Sequence, residues 1–252
     1  MVFSTSFLIE FRLHGFANDY AKWAKARIHR QARILGIREM TVPKVSHITL
    51  FGGAETNNFT QIPDVVERIG SKYSEIHFKI GGFNKFQNPD ANWIYLNVNP
   101  SRELEKFRYE LGQAIYKSDK RISDTCKLYD IEQRYIFYCA VGKYYQIETP
   151  KIETLLNYAE SHCKLETFRL HNASIFFKLL YMIKRYIFRV DENYPFINQH
   201  LIRVTILGRK NRIEREYDLI LRKMLTRREA FSRFWWRKTI QKLKRLQSPN
   251  TK

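Results

Sequence analysis

Two residues combine side-chain type and spacing in a way that can do chemistry: His47 and Thr49, in the stretch Val45-Ser46-His47-Ile48-Thr49-Leu50-Phe51-Gly52-Gly53. Valine, isoleucine, threonine, leucine and phenylalanine favour extended backbone, and the paired glycines read as the exit from a strand. Residues i and i+2 of a strand share a face, so imidazole and hydroxyl emerge side by side. A neutral imidazole takes or gives a proton near neutral pH, and a hydroxyl hydrogen-bonds a phosphoryl oxygen. The pair therefore suits phosphodiester chemistry. Taken alone the spacing is a common pattern, and a strand carries it by chance more often than by function.

The elements around it can be read from periodicity. Ser6–Leu13 reads as a strand with Glu10 and Arg12 on one face. From Asn18 to about Leu35, Tyr20, Trp23, Ala24, Ile28, Ala32 and Leu35 fall at helical spacing. Pro63–Ser71 reads as a short helix, and Ile76–Ile80 and Trp93–Val98 as strands separated by a Gly81-Gly82 turn. Ser101 caps a helix over Glu103–Tyr116, with Leu104, Phe107, Leu111 and Ile115 inward. A charged loop, Lys117–Asp130, precedes a strand, Tyr135–Val141, and a helix, Pro150–Cys163. Ile175–Val190 fits a packed helix or basic lid better than a membrane-surface helix, because four basic residues interrupt its apolar face. His200–Leu207 reads as one strand, with Arg212–Leu219 its hairpin partner. Thr226 and Glu229 form a capping-box pattern ahead of a terminal helix that mixes Phe231, Phe234, Trp235, Trp236, Ile240 and Leu243 with basic residues.

The chain has 252 residues, 44% of them apolar, and a net charge of +19. Aromatic residues at 15% argue against disorder, and the charge points to an anionic partner, nucleic acid first. Residues 201–252 hold sixteen basic and four acidic residues, so most of the excess lies in the last fifth of the chain. Candidate RNA-binding residues are Arg203, Arg209, Lys210, Arg212, Arg227, Arg228, Arg233, Arg237 and Lys238. Aromatics among these charges can stack on bases while the charges meet phosphates. The alternative is a helix docked by its tryptophans with solvated cations, and both readings hold in part. Cys126, Cys139 and Cys163 lack metal-ligand spacing and read as reduced thiols of a cytoplasmic protein. Met1–Ile9 does not resemble a signal peptide, and no run reaches the roughly 18 apolar residues of a membrane span. No metal or other cofactor is expected, and a monomer is favoured.

The order strand, helix, His-Ile-Thr-Leu-Phe-Gly strand, a further strand, Trp-Ile-Tyr-Leu strand, Ser-x-Glu-Leu helix resembles the 2H phosphoesterase superfamily, which includes the 2′-5′ RNA ligases and RNA 2′,3′-cyclic phosphodiesterases. The segment from Arg203 to Leu219 resembles that family's closing hairpin. The resemblance spans about residues 5–220, with 165–198 fitting as an insertion or lid and a basic aromatic helix over 221–252. It implies an α+β fold of two pseudo-symmetric lobes, each a small antiparallel sheet with outer helices, flanking a central groove. It also implies a second His-x-Thr or His-x-Ser. Aligning Phe137 with the aromatic that precedes that motif puts Tyr138 at the histidine position and Ala140 at the threonine position. The other six histidines are not followed at +2 by serine or threonine. What the resemblance implies is an RNA-directed phosphoesterase-like protein acting on RNA ends, a 2′,3′-cyclic phosphate or a 2′-5′ linkage, with His47 as acid or base, Thr49 as phosphate ligand and Tyr138 as a hydrogen-bond donor. Loss of the second motif weakens or alters that activity. The alternative is a non-catalytic RNA-binding protein that uses the same groove and the basic tail.

Overall fold

The computed structural model describes residues 4–39, 45–87, 91–145, 148–172 and 196–248. In chain order the elements are β1 (Thr5–Arg12), α1 (Gly15–Ile34), β2 (His47–Thr56), α2 (Gln61–Gly70), β3 (Ile76–Gln87), β4 (Asn92–Pro100), α3 (Arg102–Tyr116), α4 (Lys120–Thr125), β5 (Tyr138–Tyr144), α5 (Thr149–His162), α6 (Leu165–Asn172), β6 (Ile197–Leu201), β7 (Arg203–Leu207), β8 (Ile213–Asp218), β9 (Lys223–Thr226), α7 (Arg227–Ala230) and α8 (Arg233–Gln247).

The strands form two antiparallel sheets, β2-β1-β7-β8-β9 and β5-β4-β3-β6. In each, a strand–helix–strand unit (β1-α1-β2, then β4-α3-β5) supplies two neighbouring strands, and the later strand, β2 or β5, lies at the edge. The two edge strands meet, while α1 reaches across to β5 and α3 to β2. This is the α+β, two-lobed layout that the resemblance implies.

Alternation fixes the faces. Ile9, Phe11, Ile48 and Leu50 are buried in the core, and Glu10, Arg12, His47 and Thr49 share the opposite face, where Glu10 is itself covered. Each fully buried side chain of this size contributes roughly 1.5–3 kcal/mol. A one-residue slip would put His47 and Thr49 inside, so hydrophobic burial is what holds them at the surface.

Several boundaries differ from those read in the sequence, each for a local reason. Both glycine pairs lie within strands. Gly52-Gly53 falls at a register shift between β1 and β2, Gly81-Gly82 at one between β3 and β4, and Gly53 and Gly82 have φ of 28° and 70°. The glycines accommodate bulges and the strands run on. The stretch His200–Leu207 splits at buried Ile202, with β6 in the second sheet and β7 in the first. The β5 strand starts three residues later than expected, at Tyr138. The basic tail opens with β9, paired to β8, so the first sheet continues past residue 220. Ile175–Val190 lies outside the described residues.

Candidate active site

His47 opens β2 opposite Arg12, and Thr49 faces Glu10. The imidazole is held through Nδ1, 3.0 Å from the Val45 carbonyl, while Nε2 stands 3.7 Å from Glu10 Oε2, an attractive contact only when the ring is protonated. A carbonyl only accepts, so Nδ1 carries the proton and Nε2 is the nitrogen that exchanges one. The buried Glu10 carboxylate is itself fixed by Arg12, whose Nε donates to Oε1 at 2.7 Å. The sequence placed Glu10 and Arg12 on one face, but only the β1–β2 register shows that this face orients the histidine.

The matching positions on the other sheet are Tyr138 and Ala140, the first and third residues of β5, opposite Asn97 and Tyr95. The half-buried Tyr138 packs edge-on against Phe86 with ring centres 5.1 Å apart, and Phe86 stacks on Tyr95 at 4.4 Å. Burial pushes the Tyr138 phenol above its ordinary value, and the nearby Tyr129 and Asp130 push the same way. Between the two, Cys139 points into the core, where burial raises its thiol to about 12.

A buried polar cluster behind β2 positions the loop that leads into β5. Arg108 of α3 donates to the Glu132 carbonyl at 2.5 Å and to that of Tyr129, and lies 3.8 Å over the Tyr135 ring. The Tyr135 hydroxyl in turn donates to the Thr49 carbonyl at 3.2 Å. Asp130 accepts from the Gly52 amide at 3.0 Å, and burial raises its carboxyl to about 6. No spacing rule finds this cluster, because its members meet only when α3 packs on β2.

The basic residues divide into three groups. Arg203 is not a surface residue. It is 5% exposed, its Nε donates to Asp218 at 2.9 Å and its Nη1 to Glu216 at 3.0 Å, which corrects its assignment to RNA contact. An arginine so paired holds the β7–β8 hairpin together and has no charge to spare. Arg209, Lys210 and Arg212 are exposed on the β7–β8 turn. That turn follows Leu207, which pairs with Leu8, so it lies about four to five residues along the sheet from Arg12 and His47. At the usual strand rise this is roughly 15 Å. Arg227, Arg228, Arg233, Arg237 and Lys238 are exposed on α7 and α8. These helices cover the His47 end of the sheet: Ala230, Phe231 and Trp236 line a cavity of about 150 Å³ with Arg12, Arg203 and Thr205. Trp235 lies under Lys223 and Lys238, and Arg203 stacks on Trp236 at 4.9 Å. Both tryptophans are half-buried with the cations outside, the arrangement expected from the sequence.

The three cysteines are free. Glu75, His77 and His200, which no spacing in the sequence links, converge on the second sheet. No helix among the described residues is long and apolar enough to cross a membrane.

No family profile and no curated protein matches the chain. Among solved structures it is similar to Kluyveromyces marxianus Usb1, with 11% identity over 81% of this chain and 92% of that one, at a TM-score of 0.41. A structure described as a phosphoesterase shares 11% identity over 89% and 98% of the two chains, at a TM-score of 0.39. The MHV ns2 PDE domain shares 15% over 56% and 84%, at a TM-score of 0.35. At TM-scores below 0.5 none of these likenesses assigns a role to a residue of this chain.

Proposed function

We propose that this protein is an RNA-directed phosphoesterase-like protein of the 2H type, acting at or binding RNA ends that carry a 2′,3′-cyclic phosphate or a 2′-5′ linkage. The observation that carries the reading is the orientation of His47: Nδ1 is committed to a carbonyl, Nε2 is left for proton transfer, and Thr49 stands on the same face. In hydrolysis, a water oxygen bonds to phosphorus and a ribose oxygen leaves. Nε2 takes the water proton, the leaving oxygen takes one from the Tyr138 hydroxyl, and the imidazolium returns a proton to the phenolate. Thr49 hydrogen-bonds a non-bridging oxygen. A phenol held above its ordinary value gives up its proton reluctantly, so the second half of this relay is weak and turnover is slow.

The test is turnover of a short RNA ending in a 2′,3′-cyclic phosphate, with His47→Ala in parallel. The expected result is slow turnover that falls about 10²–10⁴-fold in the variant. Equal turnover by both proteins would remove His47 from the reaction. A second reading, a non-catalytic RNA-binding module, is favoured by the absence of a histidine and a hydroxyl at Tyr138 and Ala140. It requires salt-sensitive RNA binding with no turnover by either protein.

A further inference from the structure

Away from His47, on the solvent face of the second sheet, three potential ligands come together from two strands and the residue that leads into one of them. His77 of β3 and His200 of β6 are direct cross-strand partners with ring centres 4.3 Å apart. Glu75 lies two residues before His77 and therefore on the same face. Its Oε2 is 2.7 Å from His200 Nδ1, and its Oε1 is 3.8 Å from His77 Nε2. One ligand atom from each residue lies within 4.8 Å of the others. Tetrahedral ligands of a zinc-class ion at about 2.0–2.2 Å stand roughly 3.4 Å apart, so an ion would part Glu75 Oε2 from His200 Nδ1, replacing their direct contact, and draw the His77 imidazole in.

We propose that Glu75, His77 and His200 form a binding site for a divalent transition-metal ion of the zinc class. Two imidazoles and one carboxylate suit such an ion and disfavour magnesium or calcium, which prefer oxygen ligands. Three protein ligands leave a further coordination position, which the exposed side of His77 opens to solvent. Supporting contacts are already in place. Gln247 of α8 donates to Glu75 Oε2 at 2.9 Å, and the His200 carbonyl is 3.1 Å from His14 Nε2. These contacts orient a carboxylate and hold the β6 backbone, as outer partners do around bound metals. The ion would also tie the terminal helix to the second sheet, because Gln247 reaches the same carboxylate. The site uses none of the groups assigned to phosphoester chemistry, so it stands or falls independently of that reading.

The full chain, stripped with a chelator, is titrated with Co²⁺ alone and read by its visible absorption, followed by displacement with Zn²⁺. One equivalent is expected to bind with nitrogen–oxygen ligand bands and no thiolate charge-transfer band, and Zn²⁺ to raise the melting temperature. His77→Ala, an exposed position, and His200→Ala are each expected to weaken binding at least about tenfold. Circular dichroism of the metal-free variants establishes that they remain folded. Absence of any Co²⁺ band, a thiolate band indicating Cys126, Cys139 or Cys163, or unchanged affinity in the folded His77→Ala protein would each overturn the assignment.

Discussion

His47 and Tyr138 occupy corresponding places on two edge strands but offer different chemistry, an imidazole against a phenol that burial keeps protonated. Rebuilding the missing half is therefore a direct test: Tyr138→His combined with Ala140→Thr is expected to raise turnover of the cyclic phosphate about 10²–10⁴-fold, in a single-turnover assay against the parent. A second expectation concerns Asp130, whose carboxyl is raised from 3.8 to about 6 by burial, against the opposing Gly52 amide and Arg108. The folded state holds this proton more tightly than the unfolded chain, so the group's contribution to stability declines as pH climbs from about 3.8 to about 6 and is level above. Asp130→Asn should remove that decline. Urea unfolding at pH 4 and pH 7 is expected to show the variant gaining on the parent by on the order of 2 kcal/mol across the window.

Among the elements, the β7–β8 hairpin and α8 are joined by one buried network. Arg203 reaches Asp218 and Glu216, and its Nη2 donates to Thr239 of α8 at 2.6 Å, while the Thr239 hydroxyl also bonds Asp218. Burial raises the Glu216 carboxyl against the pull of Arg203, so the pairing only offsets a desolvation cost. Breaking it is expensive because a carboxylate is left alone in the interior. Arg203→Ala is expected to cost about 3–5 kcal/mol in chemical denaturation. At the C-terminal end of α2, Gly70 touches the Tyr217 ring of β8, where an added Cβ would lie 2.6 Å from two ring atoms. Gly70→Ala should therefore destabilise by about 1–3 kcal/mol in the same assay, even though alanine favours helix more than glycine does.

For the whole molecule, the question is what the excess positive charge does. The tail is integral to the fold through β9 and Thr239. Deleting residues 222–252 would expose Arg203 and its partners, so weaker RNA binding by such a truncation would only report unfolding. Charge neutralisation separates the two effects. Changing Arg233, Arg237 and Lys238 to glutamine is expected to leave the melting temperature nearly unchanged. It should reduce the salt dependence of single-stranded RNA binding by about 0.7 in log–log slope for each phosphate that is no longer neutralised. The same change at Arg209, Lys210 and Arg212 should have a smaller effect on binding at an RNA end, because that turn lies at the far end of the sheet from His47.

By itself the sequence determined most of the strands and helices and their order, because alternation and helical periodicity set which face of each element is buried, and the two-lobed class of fold followed from the family resemblance that this order carries. It also determined the His47–Thr49 pair and the capping box, which joins Thr226 and Glu229 across three residues. Short-range geometry suffices for both. Glycine pairs misled at the strand ends, since a bulge and a turn ask the same backbone freedom of glycine and only the partner strand distinguishes them. The tertiary structure alone decided which charges are spent. Arg203 and Arg209 look alike in the chain, yet one closes on Asp218 and Glu216 from the paired strand and the other faces water. It alone brought His77 to His200 across more than a hundred residues, and Glu10 to His47. Meetings of this kind are fixed by strand pairing and by the burial energy that sets register, and neither is written in the spacing of the residues that meet.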